Sequence, residues 1–145
     1  MASPSSGETQ LSVLLATLQP QLQPAVYVFA TLPTGAAMPA EVEPIAQFRE
    51  AEGLTLIVTQ AAADRAELSY QYPCRLITLT VHSSLTAVGM LAAITQALAA
   101  INISTNVVSA YYHDHLFVPC DRAQDALACL AALATQAQSD RVPIS

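Results

Sequence analysis

The chain has 145 residues, of which 53% are hydrophobic and only 11% are charged, and its formal net charge is −6. This length suits one ordinary domain or two very small ones, and the composition is typical of folded globular proteins rather than disordered ones. No nucleic acid and no anionic membrane surface is expected as a partner, because the basic side chains are limited to the scattered Arg49, Arg65, Arg75, Arg122 and Arg141.

The first half of the chain predicts a helix, a strand, a short edge strand, another strand and a weaker helix. Leucines at helical spacing predict an opening amphipathic helix, with Thr9 available as its N-cap and Pro20 just beyond its end. Strands are expected at 25–31 and 54–60, an edge strand at 45–50 and a helix within 61–68. The leucines of the opening helix are Leu11, Leu14, Leu15 and Leu18.

The second half predicts strand, helix, strand, strand, helix. Residues 75–82 alternate in polarity as in a strand, and Ser83 and Ser84 then offer caps for a helix that begins near Leu85 and ends at Asn102, which tolerates the left-handed conformation. The last helix is expected to begin with a capping box near Asp121. If the polar N-terminus supplies a first strand, both halves have the same order. We therefore predict two α+β units, residues 1–72 and 73–145, each with helices on one face of an antiparallel sheet.

The segment "SAYYHDHLFVP", residues 109–119, is expected to join two strands through His113 and Asp114. Tyr111 and Tyr112 would then point to opposite faces of a strand, one of them inward. His113 and His115 could instead contribute to a metal or acid/base site, but a metal needs a third or fourth ligand, and no other His, Cys or carboxylate stands at a recognisable spacing. We expect no catalytic residue, no metal and no cofactor.

The sequence also favours a cytoplasmic protein. The start "MASPSSGETQ" lacks a charged leader followed by an apolar core. The stretch between Arg75 and Asp114 is poor in charge, but Ser, Thr, Asn and Gln interrupt it too often for a membrane span. Cys74, Cys120 and Cys129 form no C-x-x-C pair, which favours reduced thiols.

Several segments together resemble those of small bacterial tandem-ACT proteins, which carry two ACT domains and little else. The segments are "SGETQLSVLL", "YVFATLP", "FREAEGLTLIV", "RLITLTVHSSLTAVGMLAAITQAL" and "SAYYHDHLFVP". The chain is more distantly similar to the animal cytosolic arginine sensors. The resemblance implies two ferredoxin-like βαββαβ units and a regulatory, non-catalytic role. The polar "MASPSS" departs from the apolar first strand of such a unit.

The resemblance also implies a ligand, most often an amino acid, bound at an interface between ACT domains near the turn "VHSSLTAVGM", residues 81–90. Helix N-termini favour anions such as a carboxylate, and the serine and threonine hydroxyls could add hydrogen bonds. Ordinary capping by Ser84 and packing at Gly89 would explain the same residues without a ligand. The candidate ligand-binding residues are His82, Ser83, Ser84, Leu85, Thr86, Gly89, Ser104 and Asn106.

We therefore predict a regulatory protein that binds an amino acid or a similar small ligand, forms a homo-oligomer and passes the binding state to a regulated protein partner by population shift. An interaction or assembly module without a small ligand is the alternative, in which Ser83→Ala or Gly89→Val would alter association instead. A metal-dependent hydrolase centred on His113 and His115 is a third, minor reading.

Overall fold

The computed structural model describes residues 10–141. The chain divides into two compact units, and neither is one continuous half of the sequence. The terminal unit comprises the residues up to Gln23 and from Ile77 onward, and the central unit comprises Pro24–Leu76. The expected division into 1–72 and 73–145 follows the order of the repeats and stays a prediction.

Ten helices and strands and one 3-10 turn form the described chain. Their order is helix α1, strands β1 to β3, helix α2, strand β4, helix α3, strands β5 and β6, the 3-10 turn Cys120–Arg122, and helix α4. Their bounds are α1 Leu11–Ala16, β1 Pro20–Leu32, β2 Ala46–Arg49, β3 Leu54–Thr59, α2 Gln60–Arg65, β4 Ser69–Leu79, α3 Met90–Ala100, β5 Asn106–Ser109, β6 Asp114–Pro119 and α4 Ala123–Arg141.

The central unit has the strand order β2-β3-β1-β4. β1 pairs antiparallel with β3 from Tyr27 opposite Thr59 to Leu32 opposite Leu54, and β3 pairs antiparallel with β2. From Val28 to Leu32 every second residue of β1 is buried, because a strand turns alternate side chains to one face. This face carries Val28, Ala30 and Leu32 with Leu56 and Val58, and Ala63 of α2 packs on it.

The terminal unit has the strand order β1-β4-β6-β5, in which residues up to Gln23 represent β1. Its helices pack on the face formed by β4 and β6. The fully buried side chains of this core include Leu14 from α1, Leu79 from β4, Ile94 from α3, Leu116 from β6 and Leu130 from α4. The opening helix therefore packs with elements from the other end of the sequence.

Both units have the strand order of a ferredoxin-like fold, with the first and third strands in the middle and the second and fourth outside them. In the central unit β1 is the first strand and β4 the fourth. In the terminal unit β4 is the first strand, and the start of β1 takes the fourth place. The α+β fold class, two ferredoxin-like units with antiparallel sheets and helices on one face, is confirmed.

The predicted start of the long helix near Ser84 and Leu85 is wrong, because α3 begins only at Met90. Ser84 instead closes a short turn: its hydroxyl accepts from the N–H of Thr86, and its carbonyl accepts from the N–H of Ala87. Gly89 then has φ 99°, a value that L side chains rarely adopt and that no α-helix contains. The chain therefore forms a loop over residues 80–89. The predicted left-handed conformation of Asn102, at φ 60°, is confirmed.

The prediction that Tyr111 and Tyr112 lie in a strand is also wrong. β5 ends at Ser109, which pairs with Asp114, and the N–H of Ala110 donates to the carbonyl of His113 at 3.0 Å. Both tyrosines therefore lie in the turn, and both are more than half exposed. Asp114 begins β6 instead of forming the turn.

The N-terminal predictions concern the cap of α1 and the start of the first strand. The predicted cap Thr9 and the segment "MASPSS" lie outside the described residues. The first described residue, Gln10, takes the N-cap position of α1 and makes no side-chain cap. β1 begins at Pro20, several residues before the predicted strand at 25–31.

Candidate functional site

The loop 80–89 lies between β4 and α3 of the terminal unit, and one buried carboxylate connects it to the β5–β6 hairpin. The hydroxyl of Ser83 donates to Asp114 Oδ2 at 3.0 Å, and the hydroxyl of Ser109 donates to Asp114 Oδ1 at 2.5 Å. Asp114 is only 6% exposed and Ser83 only 7%. Two serines from different elements therefore fix the position of this carboxylate.

Beside this network lies a cavity of about 120 Å³. Asp114, Ser83 and Ser109 line it together with other residues of the loop and the first turn of α3. The remaining lining residues are Ser84, Leu85, Ala87, Gly89, Met90, Leu91 and Ala92.

The first turn of α3 also lines this cavity. Gly89 is the N-cap of α3 and has no side chain with which to cap it. The first N–H groups of a helix have no partner within the helix, and the helix dipole makes this end favourable for an anion. The cavity is therefore lined both by the start of α3 and by the carboxylate of Asp114.

Asp114 has acceptor capacity beyond its two serine bonds. A carboxylate has about four lone-pair sites, and each oxygen of Asp114 accepts one serine hydroxyl. Within residues 10–141, Asp114 forms no salt bridge. Because a buried charge is costly unless it is paired, a cationic group that enters the cavity would be stabilised here.

The structure places five of the eight predicted ligand-binding residues around this cavity. Ser83, Ser84, Leu85 and Gly89 line it, and Thr86 lies in the turn beside it, where its hydroxyl is 2.8 Å from that of Ser84. A Cβ on Gly89 would lie 3.3 Å from Cδ2 of Leu11 in α1, so the glycine also permits close packing.

The remaining three predicted residues lie elsewhere. His82 precedes Ser83, and its ring packs in a tilted arrangement against that of Tyr112 in the hairpin turn, with 5.6 Å between the ring centroids. Ser104 and Asn106 are not among the residues that line the cavity. Asn106 begins β5, whereas the cavity is lined by the last residue of that strand, Ser109. A contact of these residues with a ligand stays a prediction.

Asp114 and Ser109 are the polar cavity residues that the sequence analysis missed. Asp114 was assigned to a turn because Asp is common in turns. The signal for another role was its place directly before the apolar run "HLFVP", since a carboxylate that begins a buried strand needs hydrogen-bond partners. Ser109 could not be chosen without knowledge of where the hairpin turns.

The histidines of the hairpin do not gather a metal-binding set. The rings of His113 and His115 are 6.4 Å apart, and within the described residues no three His, Cys, Asp or Glu side chains come together to hold a metal ion. Nδ1 of His115 lies 3.1 Å from Oγ1 of Thr78 in β4. Burial lowers the pKa of His115 below its ordinary value, His113 lowers this pKa further, and Asp114 opposes the decrease.

Two family matches cover most of the sequence. An ACT-domain model matches residues 6–75, and a second, different ACT-domain model matches residues 71–132. A solved structure of a protein of unknown function from Vibrio cholerae, described as a possible transport protein, is 45% identical over 86% of this chain and 95% of its own, with a TM-score of 0.78. The chain belongs to the tandem ACT-domain proteins. The predicted family is confirmed.

More distant solved structures share the ACT fold. Protein Atu0741 from Agrobacterium tumefaciens is 18% identical, covers 81% of this chain and 89% of its own, and has a TM-score of 0.66. The regulatory subunit of aspartate kinase from Thermus flavus is 13% identical, covers 81% of this chain and 96% of its own, and has a TM-score of 0.54. At these identities the likeness concerns the tandem ACT fold alone. No curated protein matches the sequence significantly.

None of the helices formed by residues 10–141 has the length and apolar character needed to span a membrane. Within the same residues, Cys74, Cys120 and Cys129 are free thiols.

Proposed function

We propose that this tandem ACT protein is a non-catalytic regulator that binds a free amino acid in the cavity between loop 80–89, α3 and the β5–β6 hairpin. One observation supports this most directly. Within the described residues, the carboxylate that lines this small cavity is buried, fixed and without a salt bridge, and the start of helix α3 beside it has no side-chain cap. These two features complement the two charges of an amino acid.

In the proposed pose, the carboxylate of the amino acid accepts from the first N–H groups of α3, where the helix dipole stabilises a negative charge. Its ammonium group donates to the oxygens of Asp114 that face the cavity. Ser83 and Ser109 already hold this carboxylate in place, so little ordering is required when the ligand binds.

The relatives support a regulatory role. Both family matches are ACT domains, and one solved structure with this fold is the regulatory subunit of an aspartate kinase. The ligand would act by population shift, since a ligand moves an equilibrium only as far as its affinities for the two states differ. An interface between ACT domains as the place of binding, the regulated partner and a homo-oligomer all stay predictions. The three free cysteines support a cytoplasmic location.

Titration calorimetry with the purified full chain tests the proposal. Amino acids with different side chains are titrated into wild type and into Asp114→Asn. An asparagine keeps the shape and can still bond to both serine hydroxyls, but it removes the charge that the ammonium group requires. We expect at least one amino acid to bind wild type and its affinity to fall about tenfold or more in the variant, because a hydrogen bond to a charged group contributes roughly 1.5–3 kcal/mol.

Asp121→Asn is the matched control, since it removes an exposed carboxylate from the same unit, outside the cavity. This variant should bind like wild type. The proposal fails if no amino acid binds wild type at millimolar concentration.

An assembly module without a small ligand is the second candidate. The observation that favours it is Phe48, which is 71% exposed on the edge strand β2, because edge strands readily pair with a further chain. Chromatographic sizing that shows stable association and no response to any amino acid would favour this function.

A further inference from the structure

Large apolar side chains are exposed in the two segments that line the cavity, loop 80–89 and the β5–β6 hairpin. Leu85 is 67% exposed and Val88 83% exposed, both in loop 80–89. Tyr111 and Tyr112 are 56% and 55% exposed in the hairpin turn. These four residues are termed the apolar rim. Soluble proteins seldom gather exposed apolar groups in one place without a binding role.

Each of these four residues lies in a segment that lines the cavity. Leu85 itself lines the cavity, and Val88 stands between Ala87 and Gly89, which both line it. The two tyrosines stand between Ser109 and Asp114, the two hairpin residues that line it.

Ring contacts hold the hairpin part of the rim. The rings of Tyr111 and Tyr112 pack edge to face, with 4.8 Å between their centroids. The ring centroid of Tyr112 is also 5.6 Å from that of His82, the residue before Ser83. Loop 80–89 and the hairpin, which both line the cavity, therefore expose apolar groups to solvent.

The cavity is too small for an amino acid with a long side chain. Its volume of about 120 Å³ is well below the roughly 300 Å³ at which pockets for drug-sized ligands begin. An ammonium group and a carboxylate held inside would leave a large side chain to extend through the mouth. There it would meet the apolar rim.

The distribution of charge at this site disfavours an amino acid whose side chain is charged. Among the described residues that line the cavity, Asp114 is the only charged one, and the proposed pose uses it for the ammonium group. The apolar rim contains no charged residue, so a charged side chain of a ligand would lose hydration there without gaining an ion pair.

From these observations we infer that the ligand is an amino acid with a large, uncharged, apolar side chain, which packs on Leu85 and Val88. This inference rests on the proposed function and adds the substrate class. Leu85 and Val88 would determine specificity, whereas Asp114 and α3 would bind the part common to all amino acids.

The test compares leucine, alanine, glutamate and arginine by calorimetry on the full chain. Wild type should bind leucine about tenfold or more tightly than alanine, since each buried CH₂ group contributes roughly 0.8 kcal/mol and the rim covers the side chain only partly. Glutamate and arginine should bind more weakly than leucine. The double variant Leu85→Ser/Val88→Ser should lose far more affinity for leucine than for alanine, so that the preference for leucine disappears.

Both substituted residues are largely exposed, so the double variant should fold, and circular dichroism checks this. Ile45→Ser is the matched control, because Ile45 is 49% exposed in the central unit and lies outside the cavity. It should leave all four affinities unchanged. Equal binding of leucine and alanine, or tighter binding of arginine or glutamate, would overturn this inference and leave the proposed function in place. Failure of every amino acid to bind would overturn both.

Discussion

At the scale of single residues, Asp114 connects two segments that are distant in the sequence. Its two oxygens accept from Ser83 in the β4–α3 loop and from Ser109 at the end of β5. The loop belongs to no helix or longer strand, and it has few backbone hydrogen bonds besides those at Thr80, Ser83 and the turn at Ser84, so this carboxylate is a principal contact that positions it. The same contact places the charge in the cavity.

The pKa of His115 depends on the neighbouring charges of His113 and Asp114. Burial and the neighbouring His113 both lower the pKa of His115, and Asp114 raises it. A proton nuclear magnetic resonance titration should therefore show the pKa of His115 rising in His113→Asn and falling further in Asp114→Asn. Shifts of the two variants in the same direction would contradict these causes.

The sign of the pH dependence follows from the lowered pKa of His115. The folded chain binds this proton less readily than the unfolded chain. The contribution of His115 to the free energy of unfolding is therefore complete above the ordinary histidine value of 6.5 and is lost as pH falls below it. No stabilising effect of acid is expected from this residue.

Gly89 combines backbone strain and close packing. Gly89→Ala should lower the free energy of unfolding by about 1–2 kcal/mol, because an L residue is strained in the left-handed region, and the added Cβ would also approach Leu11. Urea denaturation measures the change. Gly35→Ala is the matched control, since Gly35 has φ 83° and nothing within 4 Å of an added Cβ. A smaller loss for Gly89→Ala than for Gly35→Ala would contradict a role for Leu11.

At the scale of elements, α1 belongs to the core of the terminal unit. Leu14 is fully buried in the cluster that contains Leu79, Leu116 and Leu130. Leu14→Ala should therefore lower the free energy of unfolding by about 2–5 kcal/mol, as large-to-small changes in cores do.

Leu85→Ala is the matched control for Leu14→Ala, because Leu85 is 67% exposed in the same unit. Its loss should remain within about 0.5 kcal/mol. Equal losses for both variants in urea denaturation would show that α1 is not docked as described.

Periodicity predicted most elements, because burial on one face imposes it directly. The leucines of α1, the apolar residues of β3 and the leucines of α4 each mark a buried face, and these elements lie close to their predicted places. Two of the errors, at 84–89 and 110–112, come from exposed apolar residues. Leu85 and Val88 continue the helical spacing of α3, and the tyrosines continue a strand pattern, but all four are exposed. Apolar residues that serve a surface role resemble a buried face in sequence.

Some features of the fold require more than local patterns. The start of β1 completes the sheet of the terminal unit through contacts with residues far away in the chain, such as the bond from the N–H of Thr80 to the carbonyl of Gln19 at 3.1 Å. No spacing within a segment indicates such a partner. For the same reason Asp114 and Ser109 could not be grouped with the loop before the hairpin was known.

At the scale of the whole molecule, two ACT domains account for most of the sequence. A net charge of −6 with few charged residues leaves much of the surface uncharged, which suits association with small neutral ligands or protein partners more than with polyanions. The central claim is that the cavity recognises the charged groups of an amino acid.

The calorimetric comparison of wild type with Asp114→Asn tests this claim most directly. An amino acid should bind wild type and the Asp121→Asn control with the same affinity, and its affinity should fall about tenfold or more in Asp114→Asn. An amino acid that binds Asp114→Asn as tightly as wild type would contradict it.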